Sequence, residues 1–190
     1  MGVNPWHYHH RIMRAAALLH GGAVVAYPTE AVWGLGCDPH NEMAANHILA
    51  IKRRKRDMGL ILVASSITQL TPYLRGLNQK QQSTLADSWP GPSTWLVPDN
   101  GVAPNWVTGG RTTLALRVSA HPLVAALCEA FGGPIVSTSA NPHGLPPART
   151  AIKTRCYFEG LLDDILPGRV GSDPQPTSIR DLLSGALIRA

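Results

Sequence analysis

Thr113-Leu114-Ala115-Leu116-Arg117-Val118, then His121-Pro122 through Phe131, then Pro134-Ile135-Val136-Ser137-Thr138, is the stretch that decides the fold class. Its outer runs are short and largely apolar and the middle has helical apolar spacing, so it predicts strand, helix, strand. Working outward, helical spacing recurs over His9–His20 and over Asn41–Ile51, where Ala44, Ile48 and Ile51 share a face and Asn41 caps the start. Ala23–Tyr27, closed by Pro28, and then Gly59–Ala64 and Thr94–Pro98 read as further strands, with short helical segments filling Ile67–Trp89. The strands are continuously apolar, the pattern of strands covered on both faces. The expectation is an α/β fold in one domain over residues 1–190.

Charge is concentrated at one place. Lys52, Arg53, Arg54, Lys55 and Arg56 are consecutive, and the formal net charge is +5, so the whole excess sits in that run. A solvated basic run, a polyphosphate site and a nucleic-acid contact are the three readings open to it. A solvated run has little buried area, and replacing Lys52 or Arg54 is then expected to leave thermal stability nearly unchanged.

Several classes drop out. No apolar run approaches the roughly 20 residues needed to cross a bilayer. The stretch Ile12–Leu19 is short and interrupted by Arg14, so no secretory signature is read. Cys37, Cys128 and Cys156 have neither a disulfide framework nor a metal-ligand spacing, which fits a reducing cytoplasm. There is no Gly-x-x-x-x-Gly-Lys-Ser/Thr, and Gly34-Leu35-Gly36-Cys37-Asp38-Pro39 places Pro39 where a dinucleotide fingerprint needs its third glycine. His7, His9 and His10 lack a carboxylate or cysteine partner nearby in sequence, so no metal site is assigned.

Three polar groupings remain. On a helix, Lys52 and Arg54 would point about 200° apart. For both to hold one ligand, the helix must therefore end near Ile51. Extended geometry turns Ser137, Ser139 and Asn141 to one side, at the carboxyl end of a strand where open α/β sheets bind ligands, and turns Thr138 and Ala140 inward. Arg117 interrupts an apolar strand and needs an anionic partner, either an internal carboxylate or a bound one.

Taken in order, Ala26-Tyr27-Pro28-Thr29-Glu30-Ala31-Val32-Trp33-Gly34-Leu35-Gly36, Lys52-x-Arg54, Pro90-Gly91-Pro92-Ser93-Thr94, Leu116-Arg117-Val118 with His121-Pro122, Ser137-Thr138-Ser139-Ala140-Asn141 and Pro176-Thr177-Ser178-Ile179-Arg180-Asp181 resemble the YrdC/TsaC family. The resemblance runs from about Ala15 to the C-terminus. It implies a twisted, open, mixed sheet with flanking helices and a concave, positively charged face. The activity it implies is L-threonylcarbamoyladenylate synthesis from L-threonine, bicarbonate and ATP with Mg²⁺, releasing pyrophosphate and supplying partner proteins that modify tRNA. Lys52 and Arg54 fall on the family's catalytic positions, and with Thr94, Ser139, Asn141 and Arg189 on its nucleotide contacts. Thr29, Arg117 and Ser137 fall on its threonine contacts. If Arg117 waits for the substrate carboxylate, no protein carboxylate should pair with it in the empty site. Lys55, Met58 and Val63 depart from the family pattern. Two alternatives stand beside the synthase: an RNA-binding module without chemistry, and carbamoyl-adenylate synthesis. Outside the pentad 12 basic residues balance 12 acidic ones, which makes any RNA contact secondary.

Overall fold

The computed structural model describes residues 4–173, 175 and 177–189; Pro176, part of the last motif quoted above, lies outside them. The helices are α1 (His10–His20), α2 (Glu42–Ile51), α3 (Ile67–Leu70), α4 (Gln79–Ser88), α5 (Asn105–Thr108), α6 (Pro122–Phe131) and α7 (Ala151–Phe158). The strands are β1 (Val25–Pro28), β2 (Trp33–Gly36), β3 (Ile61–Ala64), β4 (Ser93–Pro98), β5 (Thr113–Val118), β6 (Ile135–Ser139), β7 (Asp164–Ile165), β8 (Ser178–Asp181) and β9 (Leu187–Arg189). They form one mixed sheet in the order β7-β1-β2-β6-β3-β5-β4-β8-β9.

Local chemistry sets the helix ends. The Asn41 side chain accepts from Ala44 N at 3.0 Å, as its position predicts, and Pro122 opens α6 where its missing N–H costs nothing. Gly132, at φ 83°, ends α6 in the left-handed conformation that satisfies the last carbonyls. The strand–helix–strand segment forms as read, but β5 and β6 are not neighbours. β3 lies between them, parallel to β5 and antiparallel to β6.

Period-two alternation splits the core in two. Trp33, Leu35, Leu62, Leu114, Leu116 and Val136 face one side, where α2, α4 and α7 cover them with residues such as Ile48, Leu85 and Phe158. Val25, Tyr27, Val63 and Ile135 face the other, under α1 and α6 through Ile12, Leu19, Leu123 and Leu127. That second helical layer stops short. Beyond β3 the same face carries Thr113, Ala115 and Arg117 of β5 and Thr94 and Leu96 of β4, all lining an open cavity. β5 accordingly alternates between partly and fully buried residues, so the expectation that the strands are covered on both faces fails for β4 and β5. In β5 the uncovered positions are Thr113, Ala115 and Arg117 against Leu114, Leu116 and Val118, an alternation that the sequence carries, whereas in β4 the uncovered Leu96 is as apolar as its covered neighbours.

β2 was not read as a strand, because Gly34 and Gly36 interrupt it and glycine is depleted in strands. The structure requires Gly36: a Cβ there would lie 2.7 Å from Val136 O and 2.8 Å from the Tyr27 ring.

Candidate active site

A cavity of about 250 Å³ opens on the uncovered part of the sheet. Of the residues expected to act, Thr29, Arg54, Thr94, Arg117, Ser137, Ser139 and Arg189 line it, whereas Lys52 and Asn141 do not. Met58 and Val63, two of the departures from the family pattern, line it too.

The β6 terminus follows its expected alternation only in part, because Thr138 also borders the cavity and Asn141 does not. Ser137 and Ser139 turn to the cavity side, and Ala140 is fully buried. The Ser139 hydroxyl donates to Asn141 Oδ1 at 2.6 Å, while Asn141 Nδ2 donates to Leu145 O at 2.6 Å, so Asn141 clamps the loop behind Ser139. Lys52 completes this clamp. Helix α2 ends at Ile51, as its apolar spacing predicts, and Arg53 follows in the left-handed region at φ 52°, but Lys52 and Arg54 do not converge on one site. The chain thereby swings Lys52 inward and Arg54 toward the cavity. Lys52 Nζ donates to Ser139 O, to Asn141 O at 2.8 Å and to Asn141 Oδ1 at 3.4 Å. At 3 % exposure Lys52 is a core residue, which corrects the expectation that it belongs to a solvated run. Burial, followed by the nearby Arg54 charge, lowers its pKa to about 7.

Arg54 reaches the cavity rim, where its Nη2 donates to Met58 O at 3.3 Å and Gly59 O at 3.1 Å. Its pKa is lowered, first by burial and then by Arg189 and Arg111. Arg189 donates to Thr177 O at 3.0 Å, and the buried Thr94 hydroxyl lies 3.2 Å from that of Thr177. Among the described residues, no acidic side chain forms an ion pair with Arg54, Arg111 or Arg189.

Arg117 departs from expectation. Its Nη2 lies 2.6 Å from Glu30 Oε1, with both side chains nearly buried. Oε1 also accepts from Ser119 Oγ at 2.7 Å and from the amides of Ala120 and His121. Burial alone would raise the Glu30 carboxyl, but Arg117 and these donors outweigh it and hold the group below the usual carboxylate value. The expectation of an Arg117 without a protein carboxylate is therefore wrong. A buried guanidinium in an apolar sheet needs a resident counterion, and Thr29-Glu30, at the end of β1, provides one. The pairing leaves capacity over: Arg117 Nε and Glu30 Oε2 are buried and make no hydrogen bond within the protein. Thr29 spends its hydroxyl proton on Val32 O at 2.7 Å, which leaves its oxygen able to act only as an acceptor.

The sequence reading missed Arg111, Thr113 and Thr177, which line the same cavity. Thr113 carries no signal apart from its place in a strand, whereas Thr177 lies within the last of the ordered motifs without being assigned a role. Arg111 had one: it opens the stretch that leads into β5 and stands outside the basic run. Among the described residues no group of three or more His, Cys, Asp or Glu is placed to hold a metal ion. No helix among them is long and apolar enough to cross a membrane.

The family profile Sua5_yciO_yrdC, described as telomere recombination, matches residues 17–190. The chain belongs to the Sua5/YciO/YrdC family. It is 50 % identical over 184 residues to a threonylcarbamoyl-AMP synthase of Cellvibrio japonicus, covering 97 % of each chain. Over 183 residues it is 57 % identical to the enzyme of that name from Alkalilimnicola ehrlichii, covering 95 % of each. Among solved structures, P. abyssi Sua5 complexed with L-threonine aligns with a TM-score of 0.88 at 32 % identity, over 94 % of this chain. This chain spans about half of that longer protein, 53 % of it. The mixed sheet with its flanking helices is thus that of the Sua5/YciO/YrdC fold.

Proposed function

We propose that this chain is an L-threonylcarbamoyl-AMP synthase. The observation that carries the reading is that a single cavity is lined both by Thr29, Arg117 and Ser137 and by Arg54, Thr94, Ser139 and Arg189, so amino-acid and nucleotide groups meet in one place. Relatives of nearly the same length share that name. Bicarbonate and the threonine amine condense to a carbamate with loss of water. A carbamate oxygen then attacks the α-phosphorus of ATP, the bond to the β-phosphate breaks, and pyrophosphate leaves.

Each side chain takes a role that its setting suits. Arg117, paired with Glu30, lines the cavity and supplies the positive charge that meets the threonine carboxylate, and Thr29 accepts from the threonine hydroxyl or amine. Arg54 and Arg189 neutralise the phosphates, since transfer at phosphorus depends mainly on alignment and charge. Ser139 faces the same phosphates, held in place by Asn141 and Lys52. Lys52 thus acts as a positioning residue behind the phosphate site. The cavity walls shield the short-lived carbamate from water. Mg²⁺ would come as part of the ATP substrate and would add charge neutralisation at the phosphates beside Arg54 and Arg189. The product is an activated acyl-adenylate for proteins that place the threonylcarbamoyl group on tRNA, a reaction belonging to the cytoplasm.

The test is to incubate the purified protein with ATP, Mg²⁺, bicarbonate and labelled threonine and to follow pyrophosphate and the threonine-bearing adenylate together. A site that hydrogen-bonds the hydroxyl makes serine the nearest competitor and alanine a poor one. Equal pyrophosphate release with threonine and alanine, or no adenylate at all, overturns the reading.

A further inference from the structure

We propose that Arg111 is a second phosphate-binding guanidinium, which pairs with Arg54 in a clamp for the polyphosphate of the nucleotide. The proposal rests on the reading that the cavity takes ATP, and adds a residue and a specificity to it.

The two arginines come from distant parts of the chain but share one anchor. Arg111 Nε donates to Asp57 O at 2.7 Å, and Arg54 Nη2 donates to Met58 O and Gly59 O. Three successive carbonyls, 57 to 59, thus hold two guanidiniums at the rim of one cavity. The anchor is itself fixed. Leu60 N donates to Val107 O at 2.8 Å. Gly109 closes α5 at φ 68°, at a point where a Cβ would lie 2.7 Å from both Arg56 O and Gly59 N. Only a glycine lets the turn that leads into Arg111 dock this closely on the turn that follows Arg54.

Charge gives the arrangement its meaning. Two like charges held side by side repel, and neither has an acidic partner among the described residues. Where an acid is within reach this chain uses it: Arg11 pairs with Asp164, Arg56 with Glu42 and Arg117 with Glu30. Bonding through Nε fixes the plane of the Arg111 guanidinium and leaves both Nη groups for a ligand, in the fork that phosphate oxygens match bidentately. A ligand that satisfies both forks needs more than one anionic group along a short chain. The fit is a di- or triphosphate, and a nucleoside monophosphate does not span the pair.

Calorimetric titration of the full chain and of Arg111→Ala with ATP, AMP and inorganic tripolyphosphate tests this, with Arg75→Ala as the surface control. The expected result is a loss of about tenfold or more in affinity for ATP and tripolyphosphate, with AMP and threonine within about twofold of wild type. Arg111→Lys should fall between, because it restores the charge without the fork. Arg111 is exposed, so the variant should melt with the wild type. Unchanged affinity for ATP and tripolyphosphate, an equal loss for AMP, or no tripolyphosphate binding by the wild type overturns the clamp. If the wild type binds tripolyphosphate through Arg111 yet makes no threonine-bearing adenylate, the synthase reading falls and the clamp stands.

Discussion

Lys52→Ala should destabilise the protein substantially, although a lysine within a run of five basic residues looks dispensable. The side chain is 3 % exposed, so truncation removes three buried methylenes, worth about 0.8 kcal/mol each. It also strips Ser139 O and Asn141 O of their charged donor, and an unsatisfied buried carbonyl costs about 1–3 kcal/mol. Removing a desolvated ammonium offsets part of this, leaving a net loss of about 2–4 kcal/mol. For a chain of this size each kcal/mol lowers Tm by about 2–4 °C, so a fall of about 5–15 °C is expected. Thermal unfolding followed by circular dichroism reads it directly.

Lys52→Met supplies a second readout, because it keeps the stem and removes the titration. The folded-state pKa, about 7, lies below the ordinary lysine value of 10.5, so across that window the unfolded chain binds more protons than the folded one. Wild-type stability therefore rises with pH above about 7, by up to about 1.4 kcal/mol per pH unit, and is independent of this group below it. Lys52→Met should lack that rise. A Tm for Lys52→Ala within about 2 °C of wild type, together with identical pH slopes for Lys52→Met, would show that the ammonium faces solvent and refute the buried clamp.

Arg117→Ala should cost about 3–5 kcal/mol in denaturant unfolding, because it strands the buried Glu30 carboxylate. Glu30→Gln combined with it should recover part of that loss without restoring threonine use, and full stability of Arg117→Ala alone would return Arg117 to a purely ligand-facing role. Gly36→Ala should lower stability by about 1–3 kcal/mol through collision with Val136 O and the Tyr27 ring, measured as a shifted urea midpoint; an unshifted midpoint would contradict the close approach. Arg54→Ala should raise the KM for ATP and leave the melting temperature within about 2 °C, since its partners are two rim carbonyls that water can satisfy; a steep loss of stability would make Arg54 structural.

What the sequence alone determined lies where one local rule decides. The helical face of Ala44 and Ile48 with its Asn41 cap, the end of α2 at Ile51, the strand Thr113–Val118 and the inward turn of Ala140 all follow from spacing and capping chemistry within a few residues. The ordered motifs carried further and brought seven of nine expected site residues to one cavity. What only the tertiary structure decided are questions of partnership across the chain. Whether Lys52 meets water or two carbonyls of a loop 87 and 89 residues away, and whether Arg117 waits for a ligand or rests on Glu30, depends on which strands lie side by side. The strand β2 shows the same limit, since its glycines are explained by the Tyr27 ring and, at Gly36, by Val136 O from a strand far along the chain. Arg111 shows it again, because nothing near it in sequence tells that three carbonyls around Met58 will seat it beside Arg54. The physical reason is one of range. Helix period and caps are fixed by neighbours within a turn, whereas the charge state and orientation of a buried ion are fixed by whatever distant group the folded chain brings within hydrogen-bond reach.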